Sequence, residues 1–123
     1  MKIFLDDERN PTDWKHYDNS WIVVRSCDEF KKTILDAYHN VEEIEAISFD
    51  NDLGENEPEG YDCAKWLIDQ YIVVPEILIH TMNPPAGLNI FYLMKNWQKH
   101  NNIAQNVKII NLQKNERTSR NNS

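Results

Sequence analysis

The sequence predicts an α/β domain built on a five-stranded parallel sheet, and three observations carry that prediction. Short β-like apolar runs alternate along the 123 residues with longer stretches whose apolar residues recur at helical spacing, the pattern of an α/β chain. Three of the short runs end in polar clusters: Asp6 and Asp7 after Lys2-Ile-Phe-Leu5, Asp50 and Asp52 after Ala46-Ile-Ser-Phe49, and His80-Thr-Met-Asn83 after Glu76-Ile-Leu-Ile79. Neighbouring parallel strands open their carboxyl ends at one edge, where open α/β sheets bind ligands, so the clusters are expected to meet there.

Strands are expected near residues 2–6, 21–25, 45–49, 76–80 and 107–112. Between the first two, residues 8–20 hold Pro11 and many polar side chains with no helical face. A long loop with at most a short helical turn is predicted there, hanging over the site. Ser26-Cys-Asp-Glu29 reads as a capping box, and Phe30, Ile34, Ala37 and Tyr38 follow at helical spacing, so the first helix should run to about Asn40. Residues 53–60, rich in acids and turn formers, form a second loop over the same edge. The next helix follows Gly60, carries Ala64, Leu67, Ile68 and Tyr71 on one face, and ends before Pro75, which disfavours helix at the residue before it. The last helix is placed after Pro84-Pro-Ala-Gly87 and shows Ile90, Leu93, Met94 and Trp97. These stripes read as core. One domain over residues 1–112 follows, with a polar tail at 113–123, which has no apolar residue from Lys114 on and is expected to be disordered.

Composition narrows the function. Hydrophobic residues make up 41% of the chain, enough for a real core. A net charge of −7 disfavours a broad footprint on duplex nucleic acid, which relies on Lys and Arg displacing counterions, whereas a nucleotide or one RNA end remains compatible. Cys27 and Cys63 lack paired metal spacing and, without a signal peptide, read as reduced thiols of a cytoplasmic protein. No apolar run approaches the roughly 20 residues of a membrane span.

Adjacent acids at a strand end repel and raise each other's pKa unless a cation neutralises them; otherwise they form a solvated rim. Mg²⁺, or Mn²⁺ in its place, takes one or two carboxylates plus waters and phosphate oxygens, which suits Asp6, Asp7 and Asp50 as metal ligands. His80 is the candidate general acid or base beside them. Arg9, Arg25, Asp52, Thr81 and Asn83 are candidates for contact with substrate. Arg suits bidentate phosphate contact but is as readily a salt-bridge partner, and Thr81 and Asn83 either shape the turn before Pro84 or donate to phosphate oxygens. No His/Cys arrangement suggests zinc, and no glycine-rich loop opens a helix.

Phe4-Leu-Asp6-Asp7, the acid after the third strand and Ile79-His80-Thr81 resemble the acidic pair, phosphoacceptor aspartate and Ser/Thr of response-regulator receiver domains. More closely, Leu5-Asp-Asp-Glu-Arg-Asn-Pro11, Ser48-Phe-Asp-Asn-Asp-Leu-Gly54 and His80-Thr-Met-Asn-Pro84 are similar to the cyclic-phosphate processing receiver domains, a divergent group with LDDxRxP, SLDHDLG-like and HSMNP-like stretches. The resemblance implies a receiver-like (flavodoxin/CheY-like) three-layer fold with its first and last helices reduced or missing. Two features depart from an ordinary receiver: where a receiver ends its fifth strand with a Lys followed by Pro, this chain offers only Lys114, too late and without the Pro, and the last helix is missing, both of which speak against phospho-relay. Asn51 stands where the divergent group carries His. Asp50 fits the phosphoacceptor's strand end, while Asp52 fits the spacing to Gly60-Tyr61; we take Asp50.

The expected function is metal-assisted processing of a phosphoester, the cyclic phosphate of a nucleotide or RNA end, as a Mg²⁺-dependent phosphodiesterase or phosphohydrolase in which Asp50 also attacks phosphorus. Two alternatives stand beside it. One is a non-catalytic nucleotide- or protein-binding module of viral or defence-related kind; the other is a phospho-accepting signalling receiver.

Overall fold

The computed structural model describes residues 1–112, and the expectation for the tail lies outside them. Five strands, β1 (Lys2–Leu5), β2 (Trp21–Val24), β3 (Ala46–Phe49), β4 (Glu76–Ile79) and β5 (Lys108–Asn111), form one parallel sheet in the order β2-β1-β3-β4-β5. Each falls within its expected span. Register does as much as direction here: Leu5 pairs with Val24 and Phe49, Phe49 with Ile79, and Ile79 with Asn111, so all five strands end level. The ladder then runs one residue further. The N–H groups of Asp6, Asp50 and His80 donate to the carbonyls of Val24, Leu5 and Phe49 at 3.0, 2.9 and 3.0 Å, which sets these three residues side by side at the carboxyl edge.

Strand periodicity divides the side chains between two cores. Ile3, Leu5, Ile47, Phe49, Ile77 and Ile79 pack against the helices α1 (Cys27–His39), α2 (Gly60–Asp69) and α3 (Pro84–Lys99). Phe4, Ala46 and Leu78 point the other way, into a smaller cluster with Trp14, Tyr17, Trp21 and Leu112. No helix covers that second face in the segment between β1 and β2, where the regular structure is a single 3-10 turn at Pro11–Asp13. The reduced first helix is thus as expected. The segment does more than overhang the site, however: Trp14 and Tyr17, 2% and 6% exposed, pin it onto the sheet as a third layer. The stretch that would carry a last helix lies outside the described residues.

Two helix starts differ in detail from the sequence reading. The Ser26 hydroxyl accepts from the Glu29 N–H at 3.1 Å, as a cap should, but the Glu29 carboxylate takes the Arg25 N–H, so the reciprocal half of the box falls one residue early. The third helix begins at Pro84 rather than after Gly87. Proline lacks only an N–H that the first turn leaves unpaired anyway, and Asn83 Oδ1 accepts from the Ala86 N–H at 3.3 Å to cap the turn.

Candidate functional site

Asp6, Asp7 and Asp50 each offer a carboxylate oxygen, and the three atoms lie within 4.8 Å of one another at the β1/β3 edge, where the strand order reverses. Their surroundings differ. Asp6 is buried; its Oδ1 accepts from the N–H groups of Glu8 and Arg9 at 3.0 and 2.8 Å, and its Oδ2 receives His80 Nε2 at 3.1 Å. Burial alone would raise its pKa, yet His80 and the two backbone donors together hold the carboxyl below its ordinary range. Asp50 has the opposite balance. It is 1% exposed; Oδ1 accepts from the Asn51 N–H at 2.8 Å, but Oδ2 is buried without a hydrogen bond. Burial and then the Asp6 charge push its pKa up to about 7, against the opposing pull of Asn51, Arg9 and the Thr81 hydroxyl. Asp7 is partly exposed, and desolvation and the neighbouring Asp6 raise it too.

Below the carboxylates lies a buried chain of hydrogen bonds. His80 has no exposed surface; it stacks on Phe4 with ring centres 4.2 Å apart and meets Trp14 and Tyr17 edge-on. Burial outweighs the pull of Asp6 and lowers its pKa, so the ring is neutral. Ionised Asp6 can only accept, so Nε2 carries the proton and Nδ1 must accept. The Ser48 hydroxyl, 2.7 Å from Nδ1, is therefore the donor to it, and the Tyr17 hydroxyl donates in turn to Ser48 Oγ. Burial holds the Tyr17 phenol well above its usual pKa, which keeps it a donor. The chain Tyr17–Ser48–His80–Asp6 thus fixes the tautomer and the aim of one carboxylate.

The other candidates are placed as follows. Arg9 Nη1 sits 3.9 Å from Asp6 Oδ2 and 3.9 Å from Asp50 Oδ2, between the acids. Arg25 turns away from the cleft: its guanidinium donates to the carbonyls of Asp6 and Arg9 and to Asn10 Oδ1 at 3.2, 2.7 and 2.7 Å, holding the β1–β2 loop rather than facing a ligand. Thr81 Oγ1 accepts from the Asn83 N–H at 3.2 Å, so both residues build the turn into α3. Asp52 is exposed and lines the cleft without joining the carboxylate cluster. His80 lies beneath the carboxylates instead of facing the cleft, and reaches it only through Asp6. Lys114 lies outside the described residues. The open cleft, about 580 Å³, is walled by Asp7, Arg9, Asp50, Leu53, Glu57 and Met82 among others, so both loops do reach it.

Sequence reasoning missed Ser48, Tyr17, Trp14 and Gly60. Alternation could have found Ser48, since it shares a sheet face with Asp50, just as Leu78 shares one with His80. At Gly60 a side chain would put Cβ 1.8 Å from the Asp50 carbonyl oxygen, so only glycine lets α2 press its first turn onto residues 50 and 51. Asn51 completes the joint: its amide donates to Glu59 at 2.6 Å and accepts from the Tyr61 N–H at 3.1 Å.

Clustered carboxylates at the switch-point edge of a parallel 2-1-3-4-5 sheet define a receiver-type domain. The chain belongs to the cyclic-phosphate processing receiver domains, whose family profile matches residues 1–96. No curated protein and no solved structure matches it. Among the described residues no helix is long and apolar enough to cross a membrane.

Proposed function

We propose that the domain binds Mg²⁺ or Mn²⁺ through Asp6, Asp7 and Asp50 and opens the cyclic phosphate of a nucleotide or an RNA end. The observation that carries this reading is the buried Asp50 Oδ2, which lacks a hydrogen bond and stands within reach of two further carboxylates. A hard divalent cation suits that all-oxygen set and would remove the repulsion that raises Asp50 and Asp7. Bound there, it supplies Lewis-acid polarisation of the phosphoryl group. Arg9 adds positive charge between the acids and can take a phosphate oxygen. Asp50 keeps the role of nucleophile candidate, because it lines the cleft as a residue and its buried Oδ2 has no hydrogen bond to hold it. His80 acts as a positioning residue through Asp6, with Arg25 holding the loop that carries Arg9. Thr81 and Asn83 hold the turn beside Asp50. Two free, buried thiols, Cys27 and Cys63, suit a reducing cytoplasmic setting.

The burial of His80 favours one second reading, a module that holds the ligand without turning it over, because that imidazole has no exposed surface to offer a substrate. One experiment separates the two. Ring opening of a nucleoside 2′,3′-cyclic phosphate is followed by phosphorus NMR with and without Mg²⁺ or Mn²⁺. Metal-dependent turnover by wild type that Asp50→Asn abolishes supports the enzyme; metal-dependent binding without turnover supports the module. His80→Gln should lower turnover through weakened metal affinity that excess metal restores. A wild-type protein that binds neither metal nor cyclic phosphate ends both readings.

A further inference from the structure

A second cleft, about 700 Å³, adjoins the acidic one and plays no part in the chemistry above. It opens between the first turn of α2 and the outer face of α3. The two clefts share Glu59 as a wall and meet along residues 50–52 and 82–83. Its chemistry is unlike that of its neighbour. Asn89, Tyr92 and Asn96 line it from one face of α3, at helical spacing, and Tyr61 faces them from α2. Among the described residues, the side-chain amides of Asn89 and Asn96 and the hydroxyls of both tyrosines have no hydrogen-bond partner. Asn51, by contrast, is fully occupied in the joint with Glu59 and Tyr61. Among the described residues no Lys or Arg lines this cleft, and Glu59 is the one charged wall.

A second phosphate would find no positive charge among these walls. A neutral, flat ring with donors and acceptors on its edge would find both kinds of partner. Asparagine amides offer one donor and one acceptor to a base edge, and tyrosine rings offer stacking faces that any base can use. We infer that this cleft is the nucleobase subsite of the domain, so that the ligand is a nucleoside cyclic phosphate, its base between Tyr61, Tyr92 and the two asparagines and its phosphate in the acidic cleft. The inference rests on the phosphoester reading above and adds the class of substrate. It also gives Glu59 and Asn51 a purpose as the fixed partition between the base and phosphate halves.

The test is isothermal titration of the full chain, with Mg²⁺ present, against three probes: a nucleoside 2′,3′-cyclic phosphate, the free nucleoside, and the base-free glycerol 1,2-cyclic phosphate. Wild type should bind the nucleoside cyclic phosphate about tenfold or more tightly than the base-free ester, the scale of one base–aromatic stack. Tyr92→Ala and Asn89→Ala change exposed side chains and should erase that preference while leaving the base-free ester's affinity as in wild type. Tyr92→Phe, which keeps the stacking face, should retain it. Equal wild-type affinity for the two esters overturns the subsite and leaves the phosphoester reading intact, as does a preference that survives both alanine variants. If glycerol cyclic phosphate fails to bind while the free nucleoside binds in an Asn89- and Tyr92-dependent way, the subsite stands and the phosphoester reading falls. Binding of none of the three probes overturns both.

Discussion

The two faces of the sheet are built by different means. On the helical face, α1, α2 and α3 pack an apolar core onto Ile3, Leu5, Ile47, Phe49, Ile77 and Ile79. On the other, an irregular segment presses Trp14 and Tyr17 onto Phe4 and Leu78 and threads a hydrogen-bond chain from Tyr17 through Ser48 and His80 to Asp6. Both faces bury large side chains, but only the second ends on a carboxylate of the acidic cluster. Stability and site geometry are therefore separable in the apolar core under the helices and joined on the loop face. The difference follows from alternation: Phe4 and Asp6, Ser48 and Asp50, Leu78 and His80 share the loop face, so whatever covers that face also supports the acids.

The largest effects test that division directly. Phe30 is fully buried against Phe49 and Trp66, and Phe30→Ala should cost about 4 kcal/mol in urea unfolding, a cavity with no polar consequence. Mg²⁺ affinity of the protein that remains folded should match wild type. Ser48→Ala removes a smaller group, yet it strands both His80 Nδ1 and the Tyr17 hydroxyl in the core, at about 3 kcal/mol. Its Mg²⁺ affinity should fall as well, because the His80 tautomer is released and Asp6 loses its aim. Equal Mg²⁺ affinity in both variants would break the comparison and reduce the chain to packing.

Most of the fold was readable from alternation and caps, and the site was readable as a place. The level ends of β1, β3 and β4 follow from apolar runs of equal length, and that put Asp6, Asp50 and His80 at one edge. The depth of each residue was not readable. A lone Trp14 and Tyr17 in a polar stretch carry no period, so nothing local marks them as the cover of a sheet face. His80 looked free because its partners, Tyr17 and Ser48, come from segments 63 and 32 positions away. The start of α3 was misplaced because a Pro-Pro pair suggests a break, although at a helix start it does no harm.

A middle-sized effect uses pH to sharpen the contrast between Asp6 and Asp50. Asp50 stands at about 7 in the folded protein against an ordinary 3.8, so the native state binds a proton that the unfolded state has released across that window. Stability owed to this group is present at low pH and lost as pH rises towards 7, at a full cost on the order of 4 kcal/mol. Asp6 runs the other way: its lowered pKa stabilises the fold above its ordinary range, and that contribution fades as pH falls. Asp50→Asn should therefore raise the metal-free melting temperature at pH 8, by a gain of about 2 kcal/mol, and change little at pH 4.5. Millimolar Mg²⁺ should stabilise wild type at pH 8 far more than at pH 5.5, and Asp50→Asn hardly at either. Parallel stability curves for the two proteins across this range would mean that Asp50 does not carry the strain assigned to it.

The smallest expected effect settles which acid of the β3 end matters. Asp50 and Asp52 are two residues apart and border the same cleft, but only Asp50 is buried and within reach of Asp6 and Asp7. Asp52 is solvated, and its contact within the chain is the Asn51 amide at 3.5 Å, too long to hold either group. Asp52→Asn should change stability by no more than about 0.5 kcal/mol, as an exposed substitution does. Its Mg²⁺ affinity should stay within about threefold of wild type, the shift expected from losing one screened charge near the cleft. Asp50→Asn loses most of the binding in the same titration. The reverse ranking, with Asp52→Asn abolishing the metal and Asp50→Asn retaining it, would move the site outward into the open cleft and leave the buried chain beneath Asp6 as structural support alone.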